Sequence, residues 1–273
     1  MMNSFENAQH IHFIGIGGIG MSALARLCLH DKKKISGSDR TPSELTKALE
    51  KEGAIIFEGH SAENVAEDVD LIVYSEAVDE HSEGFVEREK AKEYGIEEVN
   101  YFKALGMAVN NYYLIAVAGS HGKTTTTAML TDVLEEAGLD PTAIIGSLRS
   151  KTKSNFRAGK SKYAVVEACE YRRNFLHLKP DMLVITNIEA EHLDYYKDLA
   201  DVQDAFHEFA GQVNEGGIVV ANIKDSNVKP VLEGIECEAV DYTKCFNPSQ
   251  KLLQPGIHNQ MNAAAACAAA AKL

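Results

Sequence analysis

The stretch HIHFIGIGGIGMSALARL, residues 10–27, decides the fold of the first part of the chain. It opens with a short apolar run typical of a buried strand, passes a glycine-rich turn and continues with helical spacing. Gly15, Gly17 and Gly20 fit the pattern G-x-G-x-x-G at this junction. Such a turn lets the backbone approach a diphosphate, and the start of the following helix offers free N–H groups. The stretch therefore predicts a Rossmann-like unit that binds a diphosphate-containing ligand.

An acidic residue ends the next predicted strand. Asp39 follows the first glycine loop by about 20 residues, which suits an acid that contacts a ribose. A nicotinamide dinucleotide and a UDP-linked ligand both fit this pattern, because each carries a diphosphate and a ribose. Glycines that only permit close helix–strand packing are a third interpretation.

A second glycine loop lies in AVAGSHGKTTTTAML, residues 116–130. Gly119 and Gly122 bend the loop, Lys123 can neutralise phosphate oxygens, and Thr124 offers a hydroxyl to Mg²⁺. The spacing is the short G-x-x-G-K-T form rather than the full Walker pattern. Because a predicted strand precedes it and a predicted helix follows, the segment indicates an ATP phosphate loop.

Acidic residues follow two later predicted strands, in VVEACEYRRNF (165–175) and ITNIEAEHLDYY (185–196). The carboxyl ends of parallel strands meet at one edge of a sheet. We therefore expect the phosphate loop, Glu167 and His192 to converge. Mg²⁺ prefers oxygen ligands and retains water, so Thr124, Glu167 and His192 form a candidate magnesium site. A purely structural role is the alternative for His192, and Arg172 and Arg173 could meet anions or be solvated.

The chain as a whole predicts an α/β protein of two units. Strands alternate with helices, which favours parallel sheets, and 273 residues suffice for two cores, expected at 1–107 and 108–273. The net charge of −13 argues against nucleic acid and anionic membranes as partners. Five cysteines without a CxxC pair indicate reduced thiols, and no apolar run is long enough to cross a membrane. We therefore expect a cytoplasmic protein; the sequence gives no oligomeric state.

Six segments together resemble the Mur ligase family of peptidoglycan synthesis. In order they are HFIGIGGIGMSALA, SGSD, VYSEAV, AVAGSHGKTTTTAML, HLKPDMLVITNIEAEHLDYY and HNQMNAAAA. The segment GIGGIGMS is similar to the alanine-adding branch. The resemblance implies that the first unit binds UDP-N-acetylmuramate and no nicotinamide, and that the second binds ATP and Mg²⁺. It also implies an ATP-dependent ligase that joins L-alanine to the lactyl carboxylate through an acyl phosphate.

The resemblance assigns expected roles to individual residues. The catalytic group is Lys123, Glu167 and His192, and Thr124, Glu167 and His192 serve magnesium. ATP is expected to contact Gly119, Ser120, His121, Gly122, Lys123, Thr124, Thr125, His258 and Asn259. The UDP-sugar is expected to contact Gly15, Gly17, Gly18, Gly20, Met21, Ser22, Asp39, His60 and Ser75.

The sequence also departs from the family pattern. Members carry a third, carboxyl-terminal domain, so we expect a shortened two-domain form that is incomplete for ligation. In EACEYRRNF, Cys169, Tyr171 and Arg172 replace an acid, a serine and an acid, and Glu191 stands where aspartate is usual. A murein-recycling or other muramyl-type ligase, an NAD-dependent oxidoreductase and a non-catalytic nucleotide-binding module remain alternatives.

Overall fold

The computed structural model describes residues 4–249 and 251–273. The chain forms two compact units. The first comprises Met1–Ala108 and Gly146–Ala158, and the second Val109–Ile145 and Gly159–Leu273. The sequence-based limits of 1–107 and 108–273 do not include this contribution of Gly146–Ala158 to the first unit.

The first unit contains a five-stranded parallel sheet. Its strands are β1 (His10–Ile14), β2 (Lys34–Asp39), β3 (Ile55–Glu58), β4 (Leu71–Tyr74) and β5 (Glu97–Asn100). They lie in the order β3-β2-β1-β4-β5, and every neighbouring pair is parallel. The chain order reverses between β1 and β4, which is where open α/β sheets form a crevice for ligands.

Helices connect these strands. They are α1 (Ser4–Asn7), α2 (Ile19–His30), α3 (Glu44–Glu52), α4 (Phe85–Tyr94) and α5 (Tyr101–Val109), with a short 3₁₀ helix at Ala62–Asn64. Helix α3 begins after Pro42, where Ser43 and Thr46 form a capping box. It ends at Gly53, which has a left-handed conformation. Ile14, Ile72 and Ala91 join sheet and α4 in one apolar core.

The second unit has a larger sheet. Its strands are β6 (Tyr113–Ala118), β7 (Thr142–Ile144), β9 (Tyr163–Glu167), β10 (Met182–Ile185), β11 (Ile218–Ala221) and β12 (Glu238–Asp241). They lie in the order β12-β11-β10-β6-β9-β7. The two-residue strand β8 (Phe156–Arg157) belongs to the Gly146–Ala158 segment of the first unit. The pairs from β12 through to β7 are all parallel. The predicted α/β class with parallel sheets is therefore confirmed.

In the described part of the second unit, three α-helices and three 3₁₀ helices accompany the sheet. They are α6 (Lys123–Glu136), α7 (Leu199–Ala210) and α8 (Ile257–Ala270), with 3₁₀ helices at Tyr171–His177, Lys229–Leu232 and Tyr242–Cys245. The alanine-rich segment forms α8. Its alanines are buried in one core with Leu130 and Leu134 of α6, because methyl side chains let the two helices approach closely. No helix among the described residues is long and apolar enough to cross a membrane.

Candidate nucleotide-binding sites

The first glycine loop joins β1 to α2. The amides of Gly15 and Ile16 donate to the Ser38 carbonyl, and the Gly17 amide donates to Asp39 Oδ2 at 2.8 Å. A Cβ at Gly17 would lie 2.7 Å from the same carboxylate oxygen, so a larger residue would displace the Asp39 side chain. The Asp39 side chain therefore holds the glycine loop in place. It also lies on the side of the loop where a ligand would bind. The first amides of α2 have no intrahelical acceptor and are available to an anion.

A cavity of about 560 Å³ opens beside this loop. Five of the predicted UDP-sugar residues line it together: Gly15, Gly18, Asp39, His60 and Ser75. They follow β1, β2, β3 and β4 at the same edge of the sheet, as the reversal of chain order requires.

Four other predicted UDP-sugar residues are not part of the cavity wall: Gly17, Gly20, Met21 and Ser22. The hydroxyl of Ser22 is buried, donates to the Ile19 carbonyl and accepts from Asn155 Nδ2 at 2.9 Å. Asn155 also accepts from Arg26 and donates to the Ile19 carbonyl. The side chain of Ser22 therefore anchors the first turn of α2. Sequence patterns gave no sign of Asn155, which lies 133 residues from Ser22.

The second glycine loop joins β6 to α6. Gly119 and Gly122 have φ of 137° and 83°, and a Cβ at either position would overlap a neighbouring side chain, Thr186 or Asn262. Thr186 donates to the His121 carbonyl at 2.6 Å, and the Asn187 side chain bonds both the amide and the carbonyl of His121. The segment after β10 therefore holds the loop in shape. Thr186 is a contributor that the sequence analysis did not identify.

Lys123 is held inside the loop by three acceptors. Its Nζ lies 2.6 Å from the Gly119 carbonyl, 3.0 Å from the Ser120 carbonyl and 2.9 Å from Glu170 Oε1. Glu170 is only 2% exposed, and its second oxygen, Oε2, has no hydrogen-bond partner among the described residues. His192 Nε2 lies 3.4 Å from the same Oε1. The ammonium group of Lys123 thus lies beside acidic side chains, and phosphate oxygens can replace the carbonyl groups as its acceptors.

A pair and a group of three side chains suit a divalent cation. Thr124 Oγ1 donates to Glu167 Oε1 at 3.0 Å. Glu170, Glu191 and His192 each offer one ligand atom, and these atoms lie within 4.8 Å of one another. A buried, unpartnered carboxylate oxygen beside oxygen-rich neighbours fits Mg²⁺ chemistry. Of the predicted set, Thr124 meets Glu167, whereas His192 meets Glu170, which was not among the predicted ligands.

The turn after β9 is strained. Arg172 and Arg173 have φ of 53° and 59°, in the left-handed region that disfavours residues with a Cβ. His192, which follows β10, has φ of 55° in the same region. Arg173 bonds Asp201 at 2.7 Å and Glu208 at 3.1 Å, so it is engaged in ion pairs. The Tyr171 ring lies 4.9 Å from the His192 ring. Such strain persists where the surroundings fix it and is frequent at functional sites.

The remaining predicted ATP residues lie in different places. Ser120 is buried, and its hydroxyl accepts from the Glu189 amide at 2.8 Å. His121 is exposed, with Nε2 3.2 Å from Glu191. His258 and Asn259 occupy the first turn of α8, and Asn259 donates to the Gln254 carbonyl at 3.3 Å. Their contacts with a nucleotide stay predictions.

The fold and the two loops define a class: an α/β protein with a diphosphate-type glycine loop in one unit and an ATP-type phosphate loop in the other. Comparison with family models is more specific. The model described as "Mur ligase family, catalytic domain" matches residues 10–113, and "Mur ligase middle domain" matches residues 117–251. The chain belongs to the Mur ligase family.

Curated relatives carry the name UDP-N-acetylmuramate–L-alanine ligase. The protein of Clostridium novyi is 41% identical over 238 residues, which cover 87% of this chain and 51% of the relative. That of Caldanaerobacter subterraneus subsp. tengcongensis is 44% identical with the same coverage. The chain spans about half the length of these relatives.

Solved structures agree on the fold. A UDP-N-acetylmuramate:L-alanyl-γ-D-glutamyl-meso-diaminopimelate ligase from Neisseria meningitides has a TM-score of 0.85 at 27% identity, covering 96% of this chain and 93% of that one. The UDP-N-acetylmuramate–alanine ligase of Thermotoga maritima has a TM-score of 0.78 at 29% identity, covering 96% and 65%.

Proposed function

We propose that this chain carries the UDP-sugar-binding and ATP-binding parts of an ATP-dependent ligase that joins L-alanine to the lactyl carboxylate of UDP-N-acetylmuramate. The observation that carries the proposal is the surroundings of Lys123. Three adjacent parallel strands, β10, β6 and β9, lead into this site. Lys123 follows β6, Glu167 ends β9 and Glu170 follows it, and His192 follows β10. The names of the 41–44% identical relatives support the substrate assignment.

The chemistry is carboxylate activation. The lactyl carboxylate attacks the γ-phosphorus of ATP, ADP leaves, and an acyl phosphate forms. The amine of L-alanine then attacks the acyl carbon, phosphate leaves, and the amine loses a proton. Two anions meet in the first step, so positive charge has to offset their repulsion.

Lys123 supplies part of that charge. Its ammonium exchanges the Gly119 and Ser120 carbonyls for oxygens of the β- and γ-phosphates, and the loop amides add hydrogen bonds. Glu170 remains on the other side of the ammonium and keeps it oriented. Thr124 and Glu167, with Glu170, Glu191 and His192, would hold Mg²⁺. A bound Mg²⁺ would disperse charge on the transferred phosphoryl group.

The first unit would hold the UDP part of the substrate. A diphosphate on the first turn of α2 meets free amides and the positive end of the helix dipole. Asp39, His60 and Ser75 line the adjoining cavity and would contact the nucleoside and sugar.

The test is formation of ADP and of a trapped acyl phosphate by this chain. With ATP, Mg²⁺, UDP-N-acetylmuramate and hydroxylamine, we expect ADP and a hydroxamate in equal amounts. Lys123→Ala should abolish both, and the surface variant Lys224→Ala should abolish neither. ADP formation that is independent of the UDP-sugar contradicts the proposal. Binding of both substrates without any ADP supports the non-catalytic module instead.

A tripeptide-adding ligase is the second candidate. The Neisseria structure, which is named as a ligase for L-alanyl-γ-D-glutamyl-meso-diaminopimelate, superposes with the higher TM-score of the two described above. Amide formation with L-alanine against the tripeptide L-alanyl-γ-D-glutamyl-meso-diaminopimelate distinguishes the two candidates.

A further inference from the structure

A buried carboxylate lies behind the cavity of the first unit. Glu87 of α4 is fully buried, and its carboxylate contacts five polar groups of the described chain. Oε2 accepts from His12 Nε2 at 2.9 Å and Ser38 Oγ at 2.8 Å. Oε1 accepts from Asn64 Nδ2 at 2.9 Å and the Ser61 amide at 3.2 Å, and lies 3.3 Å from His60 Nδ1.

The carboxylate is ionised in this setting. Burial alone would raise the pKa of Glu87, but the hydrogen bond and charge of His12, with the bonds from Asn64 and Ser38, outweigh it. The pKa of Glu87 therefore lies below its ordinary value. An ionised carboxylate only accepts hydrogen bonds, so every neighbour must donate to it.

This condition fixes the proton on His60. The Ser38 hydroxyl has one hydrogen and gives it to Glu87 Oε2. The contact of 2.9 Å between Ser38 Oγ and His60 Nδ1 therefore requires Nδ1 to donate. A neutral His60 then carries its proton on Nδ1 and leaves the lone pair on Nε2.

His60 lines the 560 Å³ cavity with Asp39 and Ser75, and its Nε2 forms no hydrogen bond within the described part of the chain. We infer that Glu87 is a positioning residue that fixes His60 in the Nδ1–H form, so that Nε2 presents a hydrogen-bond acceptor to an N–H or O–H group of the bound UDP-sugar. The assignment of the ligand rests on the proposed function; the assignment of the tautomer does not.

The direct test is nitrogen NMR of the imidazole in the free, folded wild-type chain near pH 8. We expect His60 to show a protonated Nδ1 and an unprotonated Nε2. Free neutral histidine in water carries its proton mainly on Nε2. If Glu87 only stabilised the fold, His60 would be expected to keep that preference. A protonated Nε2 on neutral His60 overturns the inference.

Glu87→Gln tests the cause. The glutamine amide has one acceptor oxygen and one donor NH₂ group, so it cannot accept hydrogen bonds at both positions. An NH₂ group that faces His60 Nδ1 requires an unprotonated Nδ1, so the proton then lies on Nε2. We expect a shift toward Nε2–H and about tenfold weaker UDP binding, the equivalent of one hydrogen bond. Glu83→Gln removes an exposed charge from the same cavity wall and should leave the tautomer unchanged. An unaltered tautomer in folded Glu87→Gln overturns the inference.

Ser38→Ala provides a second variant that keeps the carboxylate. The Ser38 carbonyl still accepts from Gly15 and Ile16, so the glycine loop retains its support. His60 should stay in the Nδ1–H form, because Glu87 Oε1 remains within reach. Reversal of the tautomer in Ser38→Ala assigns the role to Ser38 and contradicts the inference.

Titration with UDP separates this inference from the proposed function. Binding of UDP should shift the His60 Nε2 resonance, as expected for an acceptor that gains a donor. If UDP leaves every resonance of the cavity unchanged, the UDP assignment of the first unit fails while the tautomer result stands. If UDP binds and Nε2 does not respond, the inference fails while the proposed function stands.

Discussion

Replacing Glu170 by glutamine should change nucleotide affinity in opposite directions with and without Mg²⁺. Glu170 Oε1 lies 2.9 Å from Lys123 Nζ and is 2% exposed, so its charge is poorly screened. A phosphate oxygen on the far side of the ammonium would lie about 6 Å from that carboxylate. At an effective dielectric constant near 20, two unit charges at this distance repel by about 3 kcal/mol.

Solvent reaches the open side of the loop, where His121 is exposed. Screening by this solvent halves the repulsion between the phosphate and Glu170 to about 1.4 kcal/mol, which corresponds to a factor of ten in affinity. In EDTA, ADP should therefore bind Glu170→Gln about tenfold more tightly than wild type. With Mg²⁺ the order should reverse, because the variant lacks an anionic ligand. Titration calorimetry measures both affinities.

Glu189→Gln is the matched control. Glu189 is 58% exposed and 3.6 Å from His121, so its removal should change metal-free affinity little. Equal affinity of Glu170→Gln and wild type in EDTA would refute the electrostatic reasoning. If Mg²⁺ increased the ADP affinity of Glu170→Gln as much as that of wild type, the role of Glu170 as a metal ligand would be refuted.

Four further outcomes follow from single contacts. Gly119→Ala should destabilise the second unit by about 1–3 kcal/mol and abolish nucleotide binding, because the left-handed backbone and Thr186 leave no room for a side chain; urea unfolding and ADP titration measure this. Asn155→Ala should lower the free energy of unfolding of the first unit in urea by about 2–4 kcal/mol, since it removes three hydrogen bonds to α2. Ala266→Leu should cost about 1–3 kcal/mol by overpacking a fully buried site, whereas no loss in urea unfolding would contradict the packing described for α8. Because the folded pKa of Glu87 is depressed, its contribution to stability is present above about pH 4.3 and is lost as pH falls through the folded value; Glu87→Gln should flatten this acid limb of the stability curve.

Local sequence patterns predicted the elements that carry their own signal. The apolar run before Gly15 and the helix after Lys123 are examples, because burial and glycine turns are encoded within a few residues. β12 (Glu238–Asp241) was missed: its first two residues are exposed, so no apolar run marks it, and it is a strand because it pairs with β11. The membership of Gly146–Ala158 in the first unit was missed for the same reason, since it depends on contacts distant in sequence.

The candidate sites show the same division. The loop residues Lys123 and Thr124 were predicted from spacing, and the structure brings them to Glu170 and Glu167. Glu170 contacts Lys123 from the turn that leads into Arg172 and Arg173, whose left-handed conformation is one that residue propensities disfavour. The network around Glu87 joins residues up to 75 positions apart, beyond the reach of any motif.

The central claim is that one chain holds two separate phosphate sites, one for UDP-N-acetylmuramate and one for ATP. Calorimetric titration of wild type and Lys123→Ala with UDP-N-acetylmuramate, and then with ADP and Mg²⁺, tests it most directly. We predict that wild type binds both ligands and that Lys123→Ala loses only ADP. Failure of wild type to bind UDP-N-acetylmuramate, or binding of NAD in its place, would contradict the claim.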